Sequence, residues 1–389
     1  MSPVSLRVLS SLREVSAEAW NALANPASEP YNPFVSHAFL STLEDSGSAT
    51  AQTGWAPQHL VIEGKSALAA AMPLYLKSHS YGEYVFDHGW ANAFENAGGR
   101  YYPKLQCAVP FTPVTGPRLL TGGRADREAL ERALVAGAQE LARRTGASSL
   151  HITFPAEGEW RRIGTAGLLQ RTDQQFVWEN QGYATFEDFL GDLASRKRKA
   201  IRRERDEVRA AEIEIELVTG RDLREAHWDD FFAFYTETGS RKWGSPYLAR
   251  QFFSLAGERM AERILLVLCR RGGRAIGGAL NFIGGDTLYG RYWGAREHHP
   301  FLHFEACYYQ AIEYAIARGL KFVEAGAQGE HKLARGYLPR RTYSLHWIAD
   351  PAFAAAVARY LKEERRAVEH HIGELTEGGP FKHEDDNGL

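Results

Sequence analysis

The feature that most constrains this chain is an order of elements that occurs twice. In the first half a short strand at 5–9 precedes a helix from Ser16, a hydroxyl N-cap, through Leu23, and a second helix over 36–45. HLVIEGKSALAAAMPLYLKS then reads as a hairpin turning at Glu63-Gly64-Lys65, and EYVFDHGWA (83–91) as a further strand. A helix over 125–144 ends near Gly146, followed by the strand SLHITF at 149–154. The second half repeats this order. Helices are expected over 229–239 and 246–258, and a hairpin turns at Arg271-Gly272-Gly273. The strand DTLYGRYWGA, a helix over 303–318, the stop Gly319 and the strand LKFVEAG follow. Residues 91–124 look irregular, and the first copy carries an insertion around 97–124. The expected domains are 1–175 and 176–378, the second including a basic helix at 195–209, with a charged helix at 355–371 and a flexible tail at 379–389.

With 389 residues and 44% hydrophobic content the chain has ample core for two domains. Its net charge of −2 gives no global attraction to nucleic acid, so any electrostatic recognition is local. Cys107, Cys269 and Cys307 are widely spaced, without a CxxC, and suit a reducing compartment. No apolar run reaches the length of a membrane span and the N-terminus lacks a signal-like segment. The expectation is a soluble cytoplasmic protein without integral membrane contact. No GxSxG, HExxH, Walker loop or GxGxxG is present. His298, His299 and His303 fit no metal spacing, and no metal is expected.

Two segments carry candidate chemistry. SRKRKAIRRERDEVR (195–209) has eight basic and three acidic residues, a net of +5. On a helix, Arg198, Arg202, Arg205 and Arg209 form one stripe, and with Lys197 they are candidates for holding phosphate. The second segment runs from Glu324 to Arg335, a polar loop after a buried strand. Acyl transfer to an amine needs a base and an oxyanion donor. Glu324, Glu330 and His331 are each candidates for the base; Lys332 and Arg335 are candidates for binding a carboxylate or phosphate. Gln328, Tyr337, His303, Glu305, Arg291 and Trp293 complete the candidate substrate contacts. In the first copy, Asp87, His88, Asn92 and Lys104 are interleaved with Tyr81, Tyr84, Phe86, Trp90, Tyr101 and Tyr102, a candidate groove.

The repeat resembles the tandem acetyltransferase-like (GNAT-like) domains of FemABX-type aminoacyltransferases, and in particular a bacterial family described as peptidoglycan biosynthesis or recognition proteins. Phe39–Glu44 (FLSTLE), Tyr102–Gly116, Ser195–Arg203 and Phe304–Tyr337, ending EAGAQGEHKLARGY, carry the resemblance. It implies an α/β (α+β) fold of two GNAT-like domains, each a mixed sheet flanked by helices. It also implies acyl or aminoacyl transfer to an amine, on a cell-wall precursor or amino-acid-like acceptor. No cofactor would be tightly bound; the donor, aminoacyl-tRNA or acyl-CoA, would be a co-substrate. The Q/R-x-x-G-x-G/A loop of acetyl-CoA sites is missing before 125–144 and 303–318, with Phe301-Leu302-His303-Phe304 in its place. FemABX-type enzymes also lack that loop, so the resemblance favours aminoacyl-tRNA or another acyl donor over acetyl-CoA. The alternative is a non-catalytic module recognising an anionic glycan, lipid-linked precursor or RNA.

Overall fold

The computed structural model describes residues 5–65, 67–243, 246–326 and 329–382, with only the backbone at 240–243. The chain divides into one compact unit of 1–173 and 341–370 and a second of 174–340 and 371–389. The sequence expectation assigned 341–370 to the second domain. In the structure this stretch packs with the first, because its strand pairs there.

The first unit holds β1 (Leu6–Leu9), β2 (Trp55–Pro57), β3 (His59–Glu63), β4 (Leu68–Met72), β5 (Leu74–Lys77), β6 (Lys104–Cys107) and β7 (Ser149–Thr153). Strand β8 (Leu169–Glu179) leads into the second unit, which holds β9 (Ile213–Thr219), β10 (Ile264–Arg271), β11 (Arg274–Ile283), β12 (Thr287–Ala295) and β13 (Phe322–Glu324). Strand β14 (Leu338–Ile348) returns to the first.

In the first unit β1, β3 and β4 form a small antiparallel sheet, and β2, β5, β6, β7 and β14 run in that order in a larger one. Strands β6 and β7 are parallel. Leu105, Leu150, Ile152 and Leu345 pack against Leu134 and Ala138 of helix Arg127–Thr145, which Gly146 ends at φ 68°. Strand alternation then turns Lys77, Lys104, Gln106, His151 and His346 to the opposite face, which is also buried.

Two expectations are corrected here. EYVFDHGWA is not a strand: Tyr84 has φ 60°, Glu83 and Asp87 turn inward, and a helix starts at His88. The 91–124 stretch is not irregular throughout, since it contains β6. Lys104 and Gln106 disguise that strand, being polar yet fully buried.

In the second unit the sheet order is β8-β13-β12-β11-β10-β9, antiparallel except for the β12–β13 pair. Ile201 and Val208 of helix Ser195–Ala210 share a core with Leu265, Val267 and Val323 of the sheet. Ala306, Tyr309 and Ile312 join that core from a helical run at 302–317. Helix Glu225–Trp243 lies close to β12, and a Cβ on Gly294 would meet the Phe234 backbone at 2.2 Å. Any larger residue there would force the helix off the strand.

Candidate active site

The parallel pair β12–β13 is short. Thr287, Leu288 and Tyr289 face Phe322, Val323 and Glu324, after which β13 ends and β12 continues to Ala295. Just beyond that point β12 bulges: Gly290 faces Asn281 and Tyr292 faces Leu280, so Arg291 is the extra residue. A bulge re-aims its side chain, and here it does so where the strands part.

The run at 302–317 crosses the gap. Its segment Glu305–Tyr309 is wound as a π-helix, a departure that often marks functional sites. A cavity of about 100 Å³ lies in the gap, lined by Ala279, Asn281, Gly290, Arg291, Cys307, Tyr308 and Ala325. A larger one, about 520 Å³, is lined by Arg296, His298, His299, Phe301 and Phe304. Trp293 and His303, whose rings lie 5.5 Å apart, contribute to both.

Glu324 ends β13. Alternation sends Val323 into the core and Glu324 to the opposite face. The residue keeps some solvent contact, but its Oε2 is buried without a hydrogen-bond partner. Burial raises its carboxyl to about 7, against the pull of Arg340 and Arg291. Lys332 is buried and donates from Nζ to the Gly326 carbonyl at 2.8 Å. Burial and the Arg291 charge lower its ammonium to about 7. A carboxyl and an amine, both shifted towards neutrality and both feeling the Arg291 charge, are a setting for proton transfer.

The other sequence candidates divide. His331 accepts or donates at 2.9 Å with the Tyr308 hydroxyl and packs against Phe304. Glu330 projects to solvent, with His371 at 3.9 Å. Arg335 is committed to Glu204 (2.9 and 3.0 Å), the Tyr309 hydroxyl and the His331 carbonyl, with its guanidinium 3.4 Å above the Phe304 ring. It braces the loop from inside. Tyr337 is wholly buried beside Tyr308. Glu305 is buried and holds Arg205 through two hydrogen bonds. Gln328 lies outside the described residues.

The basic stripe needs redrawing. Arg205 is 9% exposed and ion-paired with Glu305 and Glu313, so it faces the core. Arg198 donates to the Gly191 and Leu193 carbonyls, and Arg202 pairs with Glu187. Arg196, Lys199 and Arg203, at i, i+3 and i+7, are exposed and form no ion pair among the described residues; Lys197 beside them is half-buried.

In the first unit two of the groove candidates, Lys104 and Asp87, meet in a buried polar cluster with residues that the sequence did not single out. Lys104 Nζ donates to Ser80 (2.8 Å), Glu83 (2.7 Å) and Asp87. Lys77 lies 3.8 Å from Glu83 and 3.7 Å above the Trp55 ring. His151 and His346 share a 2.7 Å contact between their Nδ1 atoms, and each Nε2 meets a serine, Ser149 or Ser344. One ring must therefore donate from Nδ1 and the other accept, so the two are opposite tautomers. Burial keeps both neutral, lowering His151 to about 3 and His346 well below the ordinary imidazole value. The sequence signal was polar residues at period two in KLQC, SLHIT and SLHW. The Tyr81 and Phe86 rings are exposed and contact His88, while the Tyr81 carbonyl accepts from Lys77 at 3.3 Å.

Among the described residues no group of His, Cys, Asp or Glu could hold a metal, and no helix is long and apolar enough to cross a membrane. No curated protein sequence matches the chain. Solved structures do. FemX aligns with TM-score 0.53 at 11% identity, covering 91% of this chain and 100% of FemX. L-PGS from Bacillus licheniformis aligns with TM-score 0.52 at 9% identity, covering 86% and 98%. A Bacteroides thetaiotaomicron protein of unknown function aligns with TM-score 0.50 at 10% identity, covering 88% and 99%. At these identities the likeness is one of fold. A family model matches residues 11–383, nearly the whole length, and on that match the chain belongs to the FemAB-like family of peptidoglycan biosynthesis/recognition proteins.

Proposed function

We propose that this protein is an aminoacyltransferase that moves a small aminoacyl group from tRNA to an amine of a cell-wall precursor or an amino-acid-like acceptor. The observation that carries the reading is Glu324, a carboxyl raised to about 7 where β12 and β13 part. Its ionised form takes a proton from the acceptor ammonium. The freed amine attacks the ester carbonyl; the C–N bond forms and the C–O bond to the ribose breaks. The nitrogen loses its second proton and the departing 3′ oxygen gains one. Lys332, titrating near 7, can supply or accept that proton.

The donor side fits the second unit. The larger cavity is walled by Trp293, Phe301, His303 and Phe304, rings on which a terminal adenine can stack. The helix beginning at Leu302 has no glycine loop for a pyrophosphate; Phe301 occupies its N-cap at φ 62°. The stripe Arg196, Lys199 and Arg203 offers free cations for a phosphate backbone.

The test is incubation of the purified protein with tRNA charged with glycine, alanine or serine and with nucleotide-linked cell-wall precursors, read by mass spectrometry. An acceptor heavier by one aminoacyl residue supports the reading. Tight binding without product in every pairing would replace it with the recognition module. Independently, the double variant K199E/R203E is expected to weaken tRNA binding and to lower the slope of log affinity against log salt by about two. An unchanged slope would remove this helix from the tRNA footprint.

A further inference from the structure

We infer that Asn281 selects the donor's acyl group by requiring a hydrogen-bond donor on the carbon next to the carbonyl. The inference rests on the donor reading above. Asn281 lies in β11 and is wholly buried. Its amide nitrogen donates to the Leu265 carbonyl at 3.2 Å and the Ala279 carbonyl at 3.3 Å, which uses both hydrogens. The amide cannot be turned over, since that would set Oδ1 against two carbonyl oxygens. Oδ1 is left without a partner.

Asn281 is one of the residues lining the 100 Å³ cavity where β12 and β13 part, and its Oδ1 looks towards Gly290 in the same lining. A Cβ on Gly290 would sit 3.3 Å from it, so it faces the bulged stretch of β12, and glycine keeps that space open. A buried acceptor fixed in one orientation favours a ligand carrying N–H or O–H and disfavours one that offers only C–H. An α-amino or α-hydroxy acyl group meets that demand. A plain acyl group of the same size does not, and if water satisfies Oδ1 first, the plain group displaces it without replacing its bond. The volume, on the order of three water molecules, admits glycyl, alanyl or seryl and excludes branched or aromatic side chains.

The experiment uses the intact chain and three adenosine analogues with a stable 3′-amide in place of the ester, bearing alanyl, lactyl or propionyl groups, with binding measured by calorimetry. The alanyl and lactyl compounds are expected to bind at least about tenfold more tightly than the propionyl compound. In N281A the difference is expected to shrink to within about threefold, by weaker alanyl binding at unchanged propionyl binding. Equal affinity of all three for the wild type overturns the role of Asn281 and leaves the donor reading standing. Failure of all three to bind overturns the donor reading and this inference with it. If N281A does not fold, the wild-type series decides alone.

Discussion

Replacing Glu324 with glutamine is expected to lower acyl transfer at least about a hundredfold while leaving the protein folded, as general-base removal does. The amide matches the carboxyl in shape and cannot take a proton. With the wild type, kcat/KM should rise about tenfold per pH unit up to about 7 and level off above it, because only the ionised carboxylate accepts the acceptor's proton. The residual rate of E324Q should lose that dependence. Stability should move the other way. The Glu324 carboxyl is raised in the fold from 4.5 to about 7, so its contribution is present in acid and is lost as pH rises through that window. Glutamine removes the loss, and at pH 8 the variant should melt at or above the wild-type temperature. A catalytic residue whose removal stabilises the chain is the signature of a group held there for chemistry. Wild-type turnover in E324Q would assign the base elsewhere, with Lys332 the next group to examine.

Much of the second unit was legible in the sequence because its apolar periods are clean. The hairpin at 271–273, the strand DTLYGRYWGA and the helix at 303–318 all follow from alternation and glycine stops. What could not be read is geometry that depends on neighbours. The π-wound turn at 305–309 and the bulge at Arg291 arise where two strands part, and no local pattern encodes that. Arg205 falls on the basic stripe of a helical wheel, which shows angle and not depth; Glu305 and Glu313, about a hundred residues on, draw it inward. Asn281 went unnoticed because one asparagine in an apolar strand looks like an edge residue. Glu324 stands out because a carboxylate closing a buried strand is hard to place without a reason. In the first unit β6 is hard to read for one reason. Lys104, Gln106 and His151 alternate with apolar residues, the usual mark of a wet face, but here that face is covered.

Lys104→Met is the sharpest test of that covered face. Lys104 is fully buried and holds both Glu83 and Asp87, so removing it strands two carboxylates with Lys77 as their remaining cation. Breaking a buried pair from one side costs about 3–5 kcal/mol, a large part of the stability of a typical domain. Because the chain has two units, the loss should be followed locally, by hydrogen exchange of peptides from β6 and β7. Protection there is expected to fall more than about a hundredfold at pH 8. The pH dependence should also reverse sign. In the wild type between pH 6.5 and 5, His151 and His346, both held neutral by burial, lose stability as pH falls, and Glu83, raised to about 7, gains it. With His79, also lowered, on the imidazole side and Glu159, raised to about 7, on the carboxyl side, three imidazoles stand against two carboxyls, so the wild type weakens in acid. Without Lys104 both carboxyls rise, since its charge was what lowered them, and the depression of His151, to which Lys104 also contributes, is eased. Proton uptake by Glu83 and Asp87 then favours the fold, and K104M should recover protection as pH falls from 8 towards 5. Wild-type protection at pH 8, or the same acid weakening in both proteins, would mean that the Lys104–Glu83–Asp87 cluster does not hold this face together.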